Sequence, residues 1–244
     1  MMKKISLYIM IFTLVILLTG CEFIVVEQKS VEYNQLSNQY DKYIENDLFQ
    51  YEDFKDFVNN ASDQTVTSVF TVERHLRNSV GVSLSQSYGN ATLIYDDMDH
   101  LYLITTYDML DMDNKYTTYD VYDAYGNQLE AEVYAYDHML NLAILSVEKN
   151  DEDYNISIIA LYIPLSNELA LKVTNDYPIQ NQMKLGFVQS LNTIYVEIKS
   201  DAHLPGSPVF NSNLELIGIE YMHDFEETHM IMPNEISIFF NEVF

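Results

Sequence analysis

Residues 90–106 read NATLIYDDMDHLYLITT, and they contain two short apolar runs on either side of an acidic loop. The runs Ala91–Tyr95 and Leu101–Thr105 are rich in Leu, Ile, Tyr and Thr, which are residue types that favour strands. The loop between them carries three aspartates within four positions. The stretch therefore predicts two β-strands rather than a helix.

Short segments rich in strand-forming residues recur along the chain from Thr65 onward. Turn signals rich in Asn, Asp, Ser and Gly separate the short segments. The strand candidates are Asn78–Leu84, Ala91–Tyr95, Leu101–Thr105, Tyr116–Tyr122, Leu129–Tyr136, Ala143–Val147, Met183–Gln189, Thr193–Ile198, Pro208–Phe210, Glu215–Tyr221 and Met230–Met232. Many short strands at this spacing predict a sandwich or barrel.

Two segments outside these strands have a helical period. Between about Val31 and Asn60 the apolar residues recur every three or four positions, which predicts an amphipathic helix. This helix is either a spacer, a helix packed on its own domain, or a partner-binding helix. At the other end, Pro233–Phe244 begins with proline and has apolar residues at helical spacing, so we predict a short C-terminal helix.

The chain is strongly acidic, with 12 Lys and Arg against 37 Asp and Glu and a net charge of −25. Such a chain repels nucleic acid and anionic membrane surfaces, so we expect no nucleic-acid partner. Because 48% of the residues are apolar and 20 Tyr and 12 Phe are present, the composition predicts a globular fold and not disorder.

The first 21 residues have the organisation of an export signal. Lys3 and Lys4 precede an apolar run over residues 5–18, which is short for a membrane span. The run ends in Leu18-Thr19-Gly20-Cys21, which resembles the lipobox of bacterial lipoproteins. That resemblance implies cleavage before Cys21 and a diacylglycerol on its thiol. An ordinary secretory signal with a chance cysteine is the alternative.

Cys21 is the single cysteine of the chain, so no internal disulfide can form. Two acyl chains are enough for stable anchoring. We therefore expect a membrane partner through lipidated Cys21 and an extracytoplasmic location on a bacterial cell membrane. The predicted organisation is a signal peptide over 1–20, an anchor linker and amphipathic helix over 21–64, and a β domain over 65–244.

Six segments of the β region resemble, in order, trypsin-like serine peptidases of the bacterial HtrA/Deg type. The segments are residues 78–83 (NSVGVS), 89–94 (GNATLI), 103–110 (LITTYDML), 137–145 (DHMLNLAIL), 206–211 (GSPVFN) followed by 216–219 (LIGI), and 230–233 (MIMP). The resemblance covers about residues 75–244. It implies a mostly β fold of two barrels with a substrate cleft between them, preceded by a helical extension and followed by a short helix.

The residues at the family's catalytic positions do not form a triad. Asp108 stands at the histidine position, and a carboxyl group with a pKa near 4 is poorly suited to proton transfer near neutrality. Asn141 stands at the aspartate position and cannot stabilise an imidazolium electrostatically. Counting back from Pro208 places Pro205 at the serine position, whereas a gapped alignment nominates Ser207. Both readings stay open.

A rebuilt site would need another imidazole. His138 lies three residues before Asn141, and His203 lies four residues before Ser207. Residues so close in one loop seldom have the geometry of a nucleophile and its base, and an exposed histidine is the simpler interpretation. The acidic clusters fit solvated loops better than a calcium site, so we expect no metal and no cofactor.

These observations predict a catalytically inactive peptidase homologue that binds a protein partner or acts as a scaffold at the cell surface. The alternative is an exported serine peptidase with displaced catalytic residues. The partner itself is not identified by the sequence.

Overall fold

The structure is a computed structural model that describes residues 51–111, 116–176, 180–190, 194–197, 203–224 and 227–244. The chain divides into a unit of residues 1–56 and a unit of residues 57–244, and the barrels belong to the second. Cys21, the signal segment and most of the predicted N-terminal helix lie outside the described residues. No helix of the described part is both long and apolar enough to span a membrane.

The first barrel is a closed ring of six antiparallel strands. They are β1 (Val69–Arg77), β2 (Ser83–Asp96), β3 (His100–Thr106), β4 (Thr117–Tyr122), β5 (Gln128–Asp137) and β6 (Leu142–Glu148). Their spatial order is β1-β2-β3-β6-β5-β4, and β4 pairs with β1 to close the ring. Apolar side chains that alternate along the strands fill the interior, with Phe70, Leu93, Leu103 and Leu145 fully buried.

The second barrel is a curled sheet of six strands. They are β7 (Leu169–Asp176), β8 (Gln180–Ser190), β9 (Ile194–Glu197), β10 (Pro208–Phe210), β11 (Leu216–Asp224) and β12 (Glu227–Ile231). Their order is β10-β11-β12-β9-β8-β7, and two residue pairs join β10 to β7. The predicted mostly β fold with two barrels is therefore confirmed.

A shared apolar core joins the two barrels. Ile104 and Ile144 of the first barrel belong to the same buried cluster as Val173 and Ile219 of the second. This burial removes apolar surface of both barrels from water, and it stabilises the junction between them.

Among the described residues, three α-helices accompany the barrels, namely α1 (Tyr51–Thr65), α2 (Tyr107–Leu110) and α3 (Pro233–Val243), and a 3₁₀ turn at Val66–Ser68 follows α1. The predicted C-terminal helix is α3. Its first turn is capped by Glu235, whose carboxylate accepts the Met232 N–H at 3.0 Å. On its inner face, Ile236 and Phe239 join the core between the barrels.

Several predicted boundaries differ from the structure. Asn78–Leu84, interpreted as an opening strand, spans the β1–β2 hairpin, because Asn78 Oδ1 accepts the N–H groups of Val80 and Val82 and Gly81 takes a φ of +83°. Strands β1 and β7 were not predicted. Helix α1 continues to Thr65 instead of ending near Asn60, since buried Ala61 packs into the shared core.

Candidate functional site

Asp108 and Asn141, predicted to stand at the family's histidine and aspartate positions, contact each other. Asp108 is the second residue of α2, directly after β3, and Asn141 precedes β6 with a left-handed φ of +55°. The Asp108 N–H donates to Asn141 Oδ1 at 2.9 Å, and Asn141 Nδ2 donates to Asp108 Oδ2 at 3.0 Å. These bonds occupy one oxygen of the carboxylate with an amide donor, and they link the ends of β3 and β6.

The loop of Pro205 and Ser207, the predicted nucleophile position, is pressed against the first barrel. Pro205 O accepts the Asn90 N–H at 2.8 Å. Gly206 has a φ of +86°, and a Cβ there would lie 1.9 Å from Asn90 O and 2.4 Å from Thr105 Oγ1. Only glycine fits such a close approach of two backbones.

The same loop comes close to α2. A Cβ added to Gly89 would meet Pro205 O at 2.6 Å and Met109 Sδ at 2.7 Å, so β2, α2 and the loop meet around one glycine. Met109 follows Asp108 in the chain. The structure thus brings Asp108, Asn141 and the loop of Pro205 and Ser207 to one region of the barrel junction.

Ser207 is fully buried. Its hydroxyl lies 2.5 Å from Leu204 O and 2.8 Å from Asn90 Oδ1, two acceptors that share its one proton. Neither partner is an imidazole. A serine nucleophile needs access to substrate and a base that takes its proton, and the described contacts of Ser207 provide neither.

Asn90 connects the loop to both barrels. Its side chain is fully buried, its Nδ2 donates to Asn175 O at 2.7 Å, and its Oδ1 accepts the Asn175 N–H at 3.1 Å. Thr71 of β1 also donates to Asn175 O, at 3.2 Å. Since Asn90 belongs to β2 and Asn175 to β7, these bonds form a polar link between the barrels beside Ser207.

A buried ion pair adjoins the loop. Lys172 Nζ is 2.6 Å from Glu220 Oε2, and both side chains are fully buried. Burial lowers the pKa of the Lys172 ammonium, although the Glu220 carboxylate favours its charged form. Glu220 also exchanges backbone hydrogen bonds with the loop, since its carbonyl accepts the Gly206 N–H and its N–H donates to Ser207 O.

The two histidines considered as substitute bases have other contacts. His203 Nδ1 lies 3.2 Å from Glu220 Oε1, on the partly exposed side of the ion pair. The His138 ring is exposed and lies edge-on to Tyr107, with 6.4 Å between the ring centroids. Neither imidazole is a hydrogen-bond partner of the Ser207 hydroxyl.

The loop is also a poor oxyanion hole. Pro205 has no N–H, the Gly206 N–H donates to Glu220 O at 2.8 Å, and the Ser207 N–H donates to Leu204 O at 3.1 Å. A hole for a developing oxyanion requires free N–H donors aimed at the reacting carbonyl. Here the N–H donors of Gly206 and Ser207 already bond to the protein.

Sequence reasoning missed Asn90, Lys172 and Glu220. A signal existed for one of them, because Lys172 stands between the apolar residues Leu171 and Val173, which are both buried. A polar residue in such a run needs a partner in the folded protein. The partner itself is distant in the chain and cannot be read from the strand.

No family model matches the chain, and no curated protein matches it in sequence. The class that the fold supports is therefore defined by architecture: a mostly β domain with a closed six-stranded barrel, a second curled sheet and a short C-terminal helix. This architecture is consistent with a trypsin-like double barrel.

Proposed function

We propose that this protein is a lipid-anchored, catalytically inactive homologue of trypsin-like serine peptidases, and that it acts as a binding or scaffold module outside a bacterial cell. The observation that carries the proposal is the state of Ser207, whose hydroxyl is buried and bonded to Asn90 and Leu204. The pairing of Asp108 with Asn141, where the family places its base and carboxylate, supports the same conclusion.

The anchoring part of the proposal rests on the sequence Leu18-Thr19-Gly20-Cys21. In this view the signal over residues 1–20 is removed and Cys21 carries the lipid. The Cys21→Ala variant, expressed in a bacterium, is then expected to stay unprocessed or to leave the membrane fraction. The proposal fails at this point if that variant is still cut after Gly20 and still sediments with membranes.

The alternative is an exported serine peptidase with displaced catalytic residues. One observation favours it: His203 bonds to the buried Glu220, and a carboxylate behind an imidazole is what a general base needs. Ser207 also bonds to Glu220, since its backbone carbonyl accepts the Glu220 N–H. For proteolysis, however, the Ser207 hydroxyl must leave two buried acceptors and reach solvent.

A fluorophosphonate probe separates the two functions because it labels activated serines covalently. The full chain, purified in detergent, is incubated with the probe and with unfolded casein beside trypsin as a positive control. We expect no labelling and no cleavage. The matched variants are Ser207→Ala and Ser83→Ala, of which the second replaces an exposed serine at the start of β2. Labelling that is lost in Ser207→Ala and kept in Ser83→Ala would establish the peptidase.

A further inference from the structure

The outer face of the first barrel carries a second group of chemically active side chains. Glu73 and His75 are two positions apart on β1, so both point to the same face of the sheet. Asp120 of β4 lies directly opposite Glu73 in the β1–β4 pair. Oxygen and nitrogen atoms of these three side chains all lie within 4.8 Å of one another.

We propose that Glu73, His75 and Asp120 bind a divalent transition-metal ion, of which Zn²⁺ is the best match. His75 Nε2 is 3.0 Å from Asp120 Oδ2 and 3.6 Å from Glu73 Oε2. Ligands of a tetrahedral zinc at bond lengths of about 2.0–2.1 Å are separated by about 3.3 Å. The observed separations lie on either side of that value, so small side-chain rotations complete the site.

The charges of the cluster favour a cation. Two carboxylates directly opposite each other on paired strands repel. The Glu73 side chain is 6% exposed, and the ion pairs described for both carboxylates go to His75 alone. One imidazole supplies at most one positive charge for two carboxylates, whereas a divalent cation neutralises both and replaces the proton on His75 Nε2.

The surrounding residues orient the ligands. Tyr88 and Tyr122 donate to the two oxygens of Glu73, each at 3.0 Å. Gln86 Nε2 lies 3.3 Å from His75 Nδ1, and an amide nitrogen donates there. Turning the Gln86 amide by 180° brings its oxygen to Nδ1, which then donates to it and leaves the lone pair of Nε2 facing the two carboxylates. Such outer hydrogen bonds are a general property of metal-binding histidines and carboxylates.

The ligand set also indicates which ion binds. Calcium takes six to eight oxygen ligands, and magnesium prefers oxygen, so neither matches a site built around an imidazole nitrogen. Imidazole with carboxylates suits zinc and its neighbours. Three protein ligands leave a fourth position for water, on the side where the Asp120 side chain is 27% exposed. The ion would connect β1 to β4.

Zinc titration of the full chain tests this proposal. The protein is purified in detergent, stripped with EDTA, dialysed, and titrated with ZnCl₂ by calorimetry and with CoCl₂ by visible absorption. We expect a site whose affinity for Zn²⁺ falls at least tenfold in Glu73→Gln, His75→Gln and Asp120→Asn. At a free Zn²⁺ concentration about 100 times the Kd, the Tm should rise by about 5–10 °C.

His100→Gln is the matched control. His100 is a partly exposed histidine at the start of β3 in the same barrel, and its Nδ1 lies 3.9 Å from Asp97 Oδ1. This variant should bind zinc as the unchanged protein does. Asp120→Asn keeps an acceptor for His75 and is the mildest variant, so it decides the outcome if Glu73→Gln does not fold. The proposal is overturned if zinc leaves the Tm unchanged, if the three variants bind like the unchanged protein, or if Ca²⁺ binds equally well.

Discussion

Replacing Asn90 with alanine should weaken the link between the barrels. In the Asn90→Ala variant the buried Asn175 N–H loses its acceptor, and Ser207 keeps only Leu204 O as a partner for its hydroxyl. Asn175 O loses its Nδ2 donor but keeps the Thr71 hydroxyl at 3.2 Å. The change therefore leaves one buried donor without a partner and removes the side-chain bonds of Asn90 to β7 and to Ser207.

The magnitude follows from those contacts. A buried polar group left without a partner costs about 1–3 kcal/mol, and a lost hydrogen bond whose partners find others costs about 0.5–1.5 kcal/mol. With one group of the first kind and two of the second, we expect a loss of about 2–6 kcal/mol in the free energy of unfolding. For a domain of this size that corresponds to a fall in Tm of about 4–24 °C.

Urea unfolding of the chain from residue 22 onward, followed by far-UV circular dichroism, measures this loss. Asn155→Ala is the control, because Asn155 also bonds to backbone and hydroxyl groups but is exposed, and it should cost less than about 1 kcal/mol. Equal midpoints for Asn90→Ala and Asn155→Ala, at equal m-values, would show that the link at the junction contributes nothing to stability.

Two further predictions concern the loop and the acid limb of stability. Gly206→Ala should cost well over 3 kcal/mol in urea unfolding, because its Cβ would overlap the Asn90 carbonyl. Gly81 has a similar φ but open space around it, so the control Gly81→Ala should cost about 1 kcal/mol. Similar losses in the two variants would contradict the close approach of the loop to Asn90. Burial acts to raise the pKa of Asp123, but hydrogen bonds led by the Tyr154 hydroxyl outweigh it and lower that pKa below 3.8. Because the folded-state pKa of Asp123 is lowered, the stabilisation that its carboxylate provides is complete above pH 4 and is lost as the pH falls through the folded pKa. Asp123→Asn should therefore flatten the curve of stability against pH below pH 4. An unchanged curve would contradict this.

Much of the fold could be predicted from local sequence because most strands carry their own pattern, although β1 and β7 were not predicted. The segment Pro208–Phe210 was predicted with its bounds, and the strands around residues 91–105 were placed correctly within β2 and β3. The prediction failed at Asn78–Leu84, where an apolar valine pair looks like a strand but Gly81 and the Asn78 side chain form a turn. Turn geometry overrode strand propensity there.

The site was predicted less fully, because its interactions join residues far apart in the chain. The pairing of Asp108 with Asn141 and of Ser207 with Asn90 spans 33 and 117 positions. Sequence patterns nominated three of these residues through the family resemblance, but they gave no indication of which side chains bond. Likewise, the sequence directed attention to acidic loops for a metal, whereas the proposed ligands are split between two strands.

The hydrogen-bonding groups at the barrel junction already have partners within the protein, and this affects how the proposed binding module would recognise a partner. In an active peptidase the nucleophile hydroxyl and the N–H groups around it must stay available to substrate. Here the Ser207 hydroxyl, the Gly206 N–H and the Asn90 amide all bond to the protein itself, which favours stability over function at that place. A ligand that binds at the loop would have to break these hydrogen bonds, and its own contacts would have to offset their loss. A protein partner is therefore expected to contact exposed surface around the barrels and not the backbone of the loop.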